Sequence, residues 1–230
     1  MFYFDPMYFV FALPALLLAM IAQWRVKAAV NKYSRISAGR GLTGARVARA
    51  ILDNDGLSNV AVQRTSGILS DNYDPLSRTL RLSAEVYDTP SIAAVGIAAH
   101  ETGHALQHAE GYWPLQIRSA MVPVVQFGSF LGPIIFMLGW ALSYTPLAWA
   151  GIYLFGGVAL FALITLPVEF DASRRAKEMV VAQGYVSGEE LVGVKRVLDA
   201  AALTYVAALA QALSTLLYYV FLLSGSRRRR

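Results

Sequence analysis

All three histidines of this chain, His100, His104 and His108, fall in one short stretch, AAHETGHALQHAE. The first two, with Glu101 between them, spell HExxH. On an α-helix, residues four apart differ by about 40° in direction and are about one turn apart, so two imidazoles can face one ion. Glu101, next to the first of them, is placed to take a proton from a water whose pKa a bound metal lowers toward about 7. A random chain of this composition would contain the motif roughly once in a thousand. The spacing therefore predicts two metal ligands and a general base, against the plainer reading of a polar helix face.

A third ligand must come from elsewhere. Cysteine is absent, so thiolate ligands, disulfides and a cysteine nucleophile are all excluded. His108 lies eight residues past His100, about 12 Å along a straight helix, whereas zinc–nitrogen bonds are about 2 Å long. Ala105, Leu106 and Gln107 favour continued helix over a turn that would fold it back, so His108 is expected beside the metal ligands and not among them. Carboxylates remain, and the segment LPVEFDASRRAKE offers Glu169 and Asp171. Glu169 is preferred, because an ionisable residue at the end of an apolar run marks a functional site by default. Asp171 sits on another helical face, while Ser173 shares that of Glu169. Asp171, Ser173, Arg174 and Arg175 are expected around the ligands, not among them, with solvation the plainer fate of the arginines. Tyr73, in the turn-like DNYDP, is a candidate donor to the oxyanion of a tetrahedral intermediate, or else it packs that turn.

The elements that must position these residues are set in an apolar chain. Of 230 residues, 56% are hydrophobic and 15% charged, with a mean hydropathy of +0.47, outside the ordinary soluble range. Four runs, 7–24, 121–142, 147–168 and 203–223, are long enough or nearly so for a bilayer core, which needs about 20 apolar residues. The first has no basic residues before it and no small-residue cleavage site after it, and reads as a retained anchor. Its opening MFYFDPMYF resembles an interfacial aromatic belt.

The net charge of +5 is distributed in a telling way. Eleven of the twenty basic residues lie in 25–118 and five more in 169–202, which by the positive-inside rule makes both segments cytoplasmic. The short uncharged loop 143–146 makes the second and third runs a hairpin, which returns Glu169 to the side of the histidines. The terminal arginines, 227–230, disagree with a cytoplasmic excess if the fourth run spans. The basic residues sit beside apolar runs and not on an aromatic-studded soluble face, so no nucleic-acid partner is expected.

Five parts follow: an anchor (1–24), a catalytic segment with the HExxH helix (25–118), a membrane hairpin (119–168), a helical segment with the third ligand (169–202), and a C-terminal membrane helix with a basic tail (203–230). Within the second part, Thr43 caps a predicted amphipathic helix that turns Val47, Ala48, Ile51 and Leu52 to one face. The stretches 60–64, 67–75 and 79–83 suggest a small antiparallel sheet, with DNYDP as turn and Leu80 and Leu82 alternating. Thr89 as cap and Pro90 in the first turn start the histidine helix, which ends near Gly111. The fold class expected is a mostly α membrane protein, a transmembrane bundle with a small α+β zincin-like catalytic layer on the cytoplasmic side.

From the anchor through DNYDPLSRTLRLS, SIAAVGIAAHETGHALQH and LPVEFDASRRA to the arginine tail, the chain resembles the YugP-type membrane zinc metallopeptidases of bacteria. More distantly it is similar to HtpX and the CAAX prenyl proteases. The resemblance implies one zinc ion per chain, held by His100, His104 and Glu169, with Glu101 as catalytic base. It also implies a multi-pass protein of the bacterial cell (inner) membrane whose active site faces the cytoplasm and whose substrates are peptides or membrane proteins. Two positions depart from the pattern: Asn72 stands where members often carry histidine, and Ser173 where HtpX-like chains have an acidic residue. Two other classes stay open: a non-catalytic membrane scaffold with a structural or vestigial zinc site, and a metal transporter. The extramembrane placing of the histidines weighs against transport, whose sites usually lie at the bilayer midplane.

Overall fold

The computed structural model describes residues 6–67 and 70–227. Part of the aromatic N-terminal stretch, two residues of the 67–75 segment and the last three arginines lie outside the described residues. Among the described residues, seven helices and three strands follow in the order α1 (Pro6–Tyr33), α2 (Gly44–Asn54), β1 (Ala61–Thr65), β2 (Asn72–Asp74), β3 (Thr79–Ser83), α3 (Ala84–Asp88), α4 (Ile92–Ala109), α5 (Trp113–Ala141), α6 (Thr145–Ala182) and α7 (Gly188–Arg227). The chain is a mostly α membrane protein. Helices α1, α5, α6 and the Gly188–Gly225 part of α7 are long and apolar enough to cross a bilayer. Each extends beyond the apolar run read from the sequence. Many of their large apolar side chains are exposed, Leu17, Met20, Phe127 and Leu163 among them, as lipid contact requires.

The chain divides into two compact units. One comprises Met1–Ala22, Ile117–Leu166 and Thr204–Arg230. Its core holds Phe136, Ala148, Ile152 and Leu223, with the rings of Phe136 and Tyr219 stacked at 4.1 Å. Helices α5 and α6 form a tight hairpin because small residues let their backbones meet. A Cβ on Gly151 would stand 2.3 Å from the Phe136 nitrogen, and one on Gly139 2.2 Å from that of Ala148. With little hydrophobic drive between helices in lipid, such close backbone packing is what holds them together.

The other unit comprises Gln23–Gln116 and Pro167–Leu203. Its central element is α4, whose Ile92, Val95 and Ala99 pack into one apolar cluster with Val47, Ile51, Val180 and Val194. Its Ala94, Ala98 and Ala105 pack into a second cluster with Ala48, Leu52, Leu80 and Leu82. A helix buried on several faces needs small residues, and alanine supplies them at no cost in helix propensity. The predicted face of α2 is the buried one, and Thr43 caps it by accepting from the Arg46 N–H.

Three local expectations are corrected. The sheet is mixed, in the order β1-β3-β2: β2 pairs with β3 antiparallel, and β1 with β3 parallel. A parallel pair needs a long crossover, and residues 66–78, β2 among them, provide it. The turn is displaced from DNYDP to residues 75–78, since Asn72–Asp74 is itself strand. Asp74 Oδ1 accepts from Leu76 N–H at 3.0 Å, the side-chain-to-backbone bond that starts such a turn. Helix α4 is capped by Ser91, which accepts from Ala94 N–H at 3.1 Å, and not by Thr89, whose hydroxyl donates to Glu85 O at the end of α3. At its other end, Gly111 with φ of +68° lets its own N–H reach His108 O and that of Tyr112 reach Gln107 O. That Schellman arrangement stops the helix just after the third histidine.

The α5–α6 packing gives a paired expectation. Gly151→Ala forces a methyl into the backbone of Phe136 and costs about 1–3 kcal/mol. Gly156→Ala, five residues along the same helix with nothing within 4 Å of the new Cβ, leaves stability unchanged. Thermal unfolding in detergent separates the two; equal Tm values for both variants contradict the close-packed hairpin.

Candidate metal centre

Helix α4 presents His100 and His104 one turn apart, with ring centroids 4.9 Å apart and planes at 83°. Helix α6 brings Glu169 against both. Its Oε2 lies 3.2 Å from His100 Nε2 and its Oε1 3.7 Å from His104 Nε2. The approach depends on Gly103, where a Cβ would meet the Ala172 carbonyl oxygen at 2.8 Å. One ligand atom from each of the three residues lies within 4.8 Å of the other two. Four ligands about 2.05 Å from a tetrahedral zinc sit about 3.3 Å from one another, so these separations are those of a metal shell with small adjustment. Two imidazole nitrogens and a carboxylate oxygen are also a donor set zinc takes at catalytic sites. The residues present fit the ion.

Burial sharpens the point. Glu169 is 2% exposed and His104 7%. A carboxylate so far from water costs several kcal/mol unless positive charge or a set of hydrogen-bond donors meets it, and a cation seated between it and the two imidazole nitrogens would supply that charge.

A set of polar neighbours fixes the rings. His104 Nδ1 lies 3.0 Å from Gln107 Oε1. An amide oxygen only accepts, so Nδ1 carries the proton and Nε2 keeps its lone pair for a metal. The amide nitrogen of Gln107 in turn donates to Val168 O at 2.8 Å and to Asp171 Oδ2 at 2.9 Å. Asp171 also accepts from Arg174 and from Arg175 Nε, and Arg175 reaches Glu110 at 2.7 Å. His100 Nδ1 sits 3.1 Å from Ser173 Oγ, which can accept from it and leave Nε2 to a metal. Partners of this kind orient ligating histidines and raise their basicity.

Asp171, Ser173 and Arg175 thus stand around the three-residue cluster and outside it. Arg174 joins the same carboxylate from an exposed position, paired also with Glu178. Gln107, fully buried, escaped the sequence reading. Its signal is position: three residues after His104, it lies on the same helix face.

Glu101 is held from the sheet. Its Oε2 accepts the main-chain N–H of Tyr73, on edge strand β2, at 3.0 Å. The Tyr73 hydroxyl reaches His108 Nδ1 at 2.8 Å, one helical turn beyond His104. Burial pushes the Tyr73 hydroxyl above its ordinary pKa, against the opposing charge of Arg78, so the phenol stays protonated at neutral pH. Asn72 lies exposed on the same strand.

Comparison with known proteins gives the family. The family described as "Putative neutral zinc metallopeptidase" matches residues 8–224. The "Putative membrane protease YugP" of Bacillus subtilis (strain 168) is 47% identical over 222 residues, which cover 96% of this chain and 99% of that protein. No solved structure matches the chain significantly. Matched almost from end to end on both counts, the chain belongs to the family of neutral zinc metallopeptidases that this description names.

Proposed function

We propose that the chain is an integral-membrane zinc metallopeptidase that hydrolyses peptide bonds, with one zinc ion held by His100, His104 and Glu169 and Glu101 as general base. The observation that carries the reading is the convergence of three ligand groups from two helices, His104 and Glu169 buried and His100 nearly so, with Glu101 next in sequence to His100 and its carboxylate held by Tyr73 N–H. Zinc held there supplies Lewis acidity, which lowers the pKa of a water and polarises a carbonyl. Glu101 takes the proton of the attacking water on a carboxylate oxygen and delivers it to the leaving amine, ending as it began. Tyr73 N–H holds that carboxylate in place beforehand. The oxyanion role expected of the Tyr73 hydroxyl requires it to leave His108, so its fixed contribution is the main-chain bond to Glu101. The outer edge of β2 is where an extended substrate would pair by its backbone, with broad sequence tolerance.

A scaffold with a structural zinc wants a closed shell of four protein ligands. Among the described residues the cluster offers three, which favours the open, catalytic arrangement. Charge supports an orientation: the basic segments 25–118 and 169–202, and with them the site, face the cytoplasm of a bacterial inner membrane.

Elemental analysis of detergent-purified protein is expected to find about one zinc per chain, lost in His100→Ala, His104→Ala and Glu169→Ala. His108→Ala and Glu101→Gln keep the metal, and the latter lowers peptide hydrolysis by about 10²–10⁴. A Glu169→Ala protein that retains its zinc contradicts the ligand set. Gln107→Ala is expected to weaken zinc about 10–100-fold in competition with a chelator, by freeing the His104 ring; unchanged affinity removes Gln107 from the site. Because the chain has no cysteine, single cysteines at Ser58 and Ser143 report topology directly. An impermeant thiol reagent added outside intact cells is expected to label the second and spare the first. The reverse pattern inverts the orientation.

A further inference from the structure

Against α4 at Ala105, His108 and Ala109, from one helical turn past Glu101 towards the helix C-terminus, lies a cavity of about 250 Å³ that the hydrolytic reading leaves without a role. Tyr73 joins the two places, its main chain at Glu101 and its hydroxyl at His108. The cavity wall carries Arg78, His108, Tyr73 and Asn59, and no acidic residue lines it. Arg78 is exposed, and its guanidinium has no hydrogen-bond or ion-pair partner among the described residues. Its charge acts on the Tyr73 phenol, which places it at the same wall.

The turn that presents Arg78 is stiff. Asp74 accepts from Leu76 N–H, Ser77 Oγ and Arg81, so the carboxylate nearest to Arg78 in sequence is spent on the hairpin itself. Arg78 itself sits at φ of +49°, a backbone region that non-glycine residues seldom hold. When the Tyr73 hydroxyl donates to His108 Nδ1, the ring proton of His108 is on Nε2, a further donor. A cation, the His108 Nε2 donor and the Asn59 amide around a concave space free of acids make a seat for an anion, and an arginine fork matches a carboxylate best. The volume suits one side chain and lies below the roughly 300–1,000 Å³ of sites for drug-sized ligands.

We propose that this cavity is a substrate subsite that takes a carboxylate of the peptide, next to the bond that Glu101 helps to cleave, with Arg78 as its main specificity determinant. The proposal rests on the peptidase reading and narrows it from peptides in general to those with an acidic group at a fixed distance from the scissile bond. The carboxylate has two sources, an Asp or Glu side chain or the free C-terminus.

The test uses the full-length zinc-loaded protein in detergent and a neutral peptide blocked at both ends, in which one Glu or its isostere Gln is moved through each position. At one position Glu is expected to raise kcat/KM about tenfold over Gln, the worth of one charge-assisted contact. Arg78→Asn, an exchange suited to a positive φ, abolishes that ratio, and Arg78→Glu turns it to favour Lys. Ratios within each variant cancel losses of folded protein. A preference seen only when the C-terminus is unblocked assigns the same subsite to the terminal carboxylate. Equal cleavage of Glu, Gln and free-ended peptides by the wild type overturns the subsite and leaves the peptidase reading intact. If no peptide is cleaved, fluorescence anisotropy of the same series on Glu101→Gln decides. A binding preference for the carboxylate that vanishes with Arg78→Asn sustains the subsite while the peptidase reading falls, and equal binding overturns both.

Discussion

A carboxylate taken out of water must be neutralised where it stands, and much of the site follows from that cost at Glu169. Its two oxygens face two imidazoles, which answer the charge as imidazolium counter-ions or, when uncharged, offer lone pairs that need a cation between them and the acid. Both states need the rings where they are. The second arrangement, with a dication among all three groups, would answer the same cost with stronger interaction and leave each ring neutral. The buried acid thus makes the pocket a poor place for nothing and a good place for a metal.

That demand reaches outward in steps. The rings must hold still, so Gln107 and Ser173 grip their far nitrogens. Gln107 is itself buried and has to be satisfied, which Val168 O and Asp171 accomplish on α6. Asp171 then carries a negative charge near Glu169, and Arg174 and Arg175 offset it. The chain of partners ends at Glu110, where water takes over. Each polar group is there because the one before it was buried, so the network couples the end of α4 to the polar stretch of α6 without needing large energy from any single surface pair.

What could be read from the sequence divides along the range of the interaction. HExxH, the Thr43 cap and the buried face of α2 are local, set by periods of three and four residues, and they stood in the sequence as they stand in the fold. Glu169 was reachable by a longer route: with no spare histidine or cysteine, a carboxylate at the end of an apolar run was the donor left. The sheet was not reachable in this way. Alternation in Leu80 and Leu82 marks a buried strand, but which neighbour pairs with it, and in which direction, is decided by contacts across residues 66–78. The cap of α4 is ambiguous in the sequence because Thr89 and Ser91 flank one proline and both qualify; in the fold the end of α3 engages Thr89 and leaves the cap to Ser91. Gln107 was invisible for a different reason, being an ordinary helix former until the ring beside it is known to need an acceptor.

The small residues of α4 tie packing to chemistry. Gly103, inside the HExxH motif, has no Cβ where one would stand 2.8 Å from Ala172 O. Glycine costs a helix roughly 1 kcal/mol relative to alanine, so local propensity argues against it there. It is tolerated because the two helices must come within backbone contact for a short glutamate arm on one to reach two imidazoles on the other. A larger residue would widen that gap, and the carboxylate would need the reach of a longer side chain, which no acidic amino acid has. The residue type between the two histidines is therefore set by the distance to the third ligand as much as by the helix that carries it.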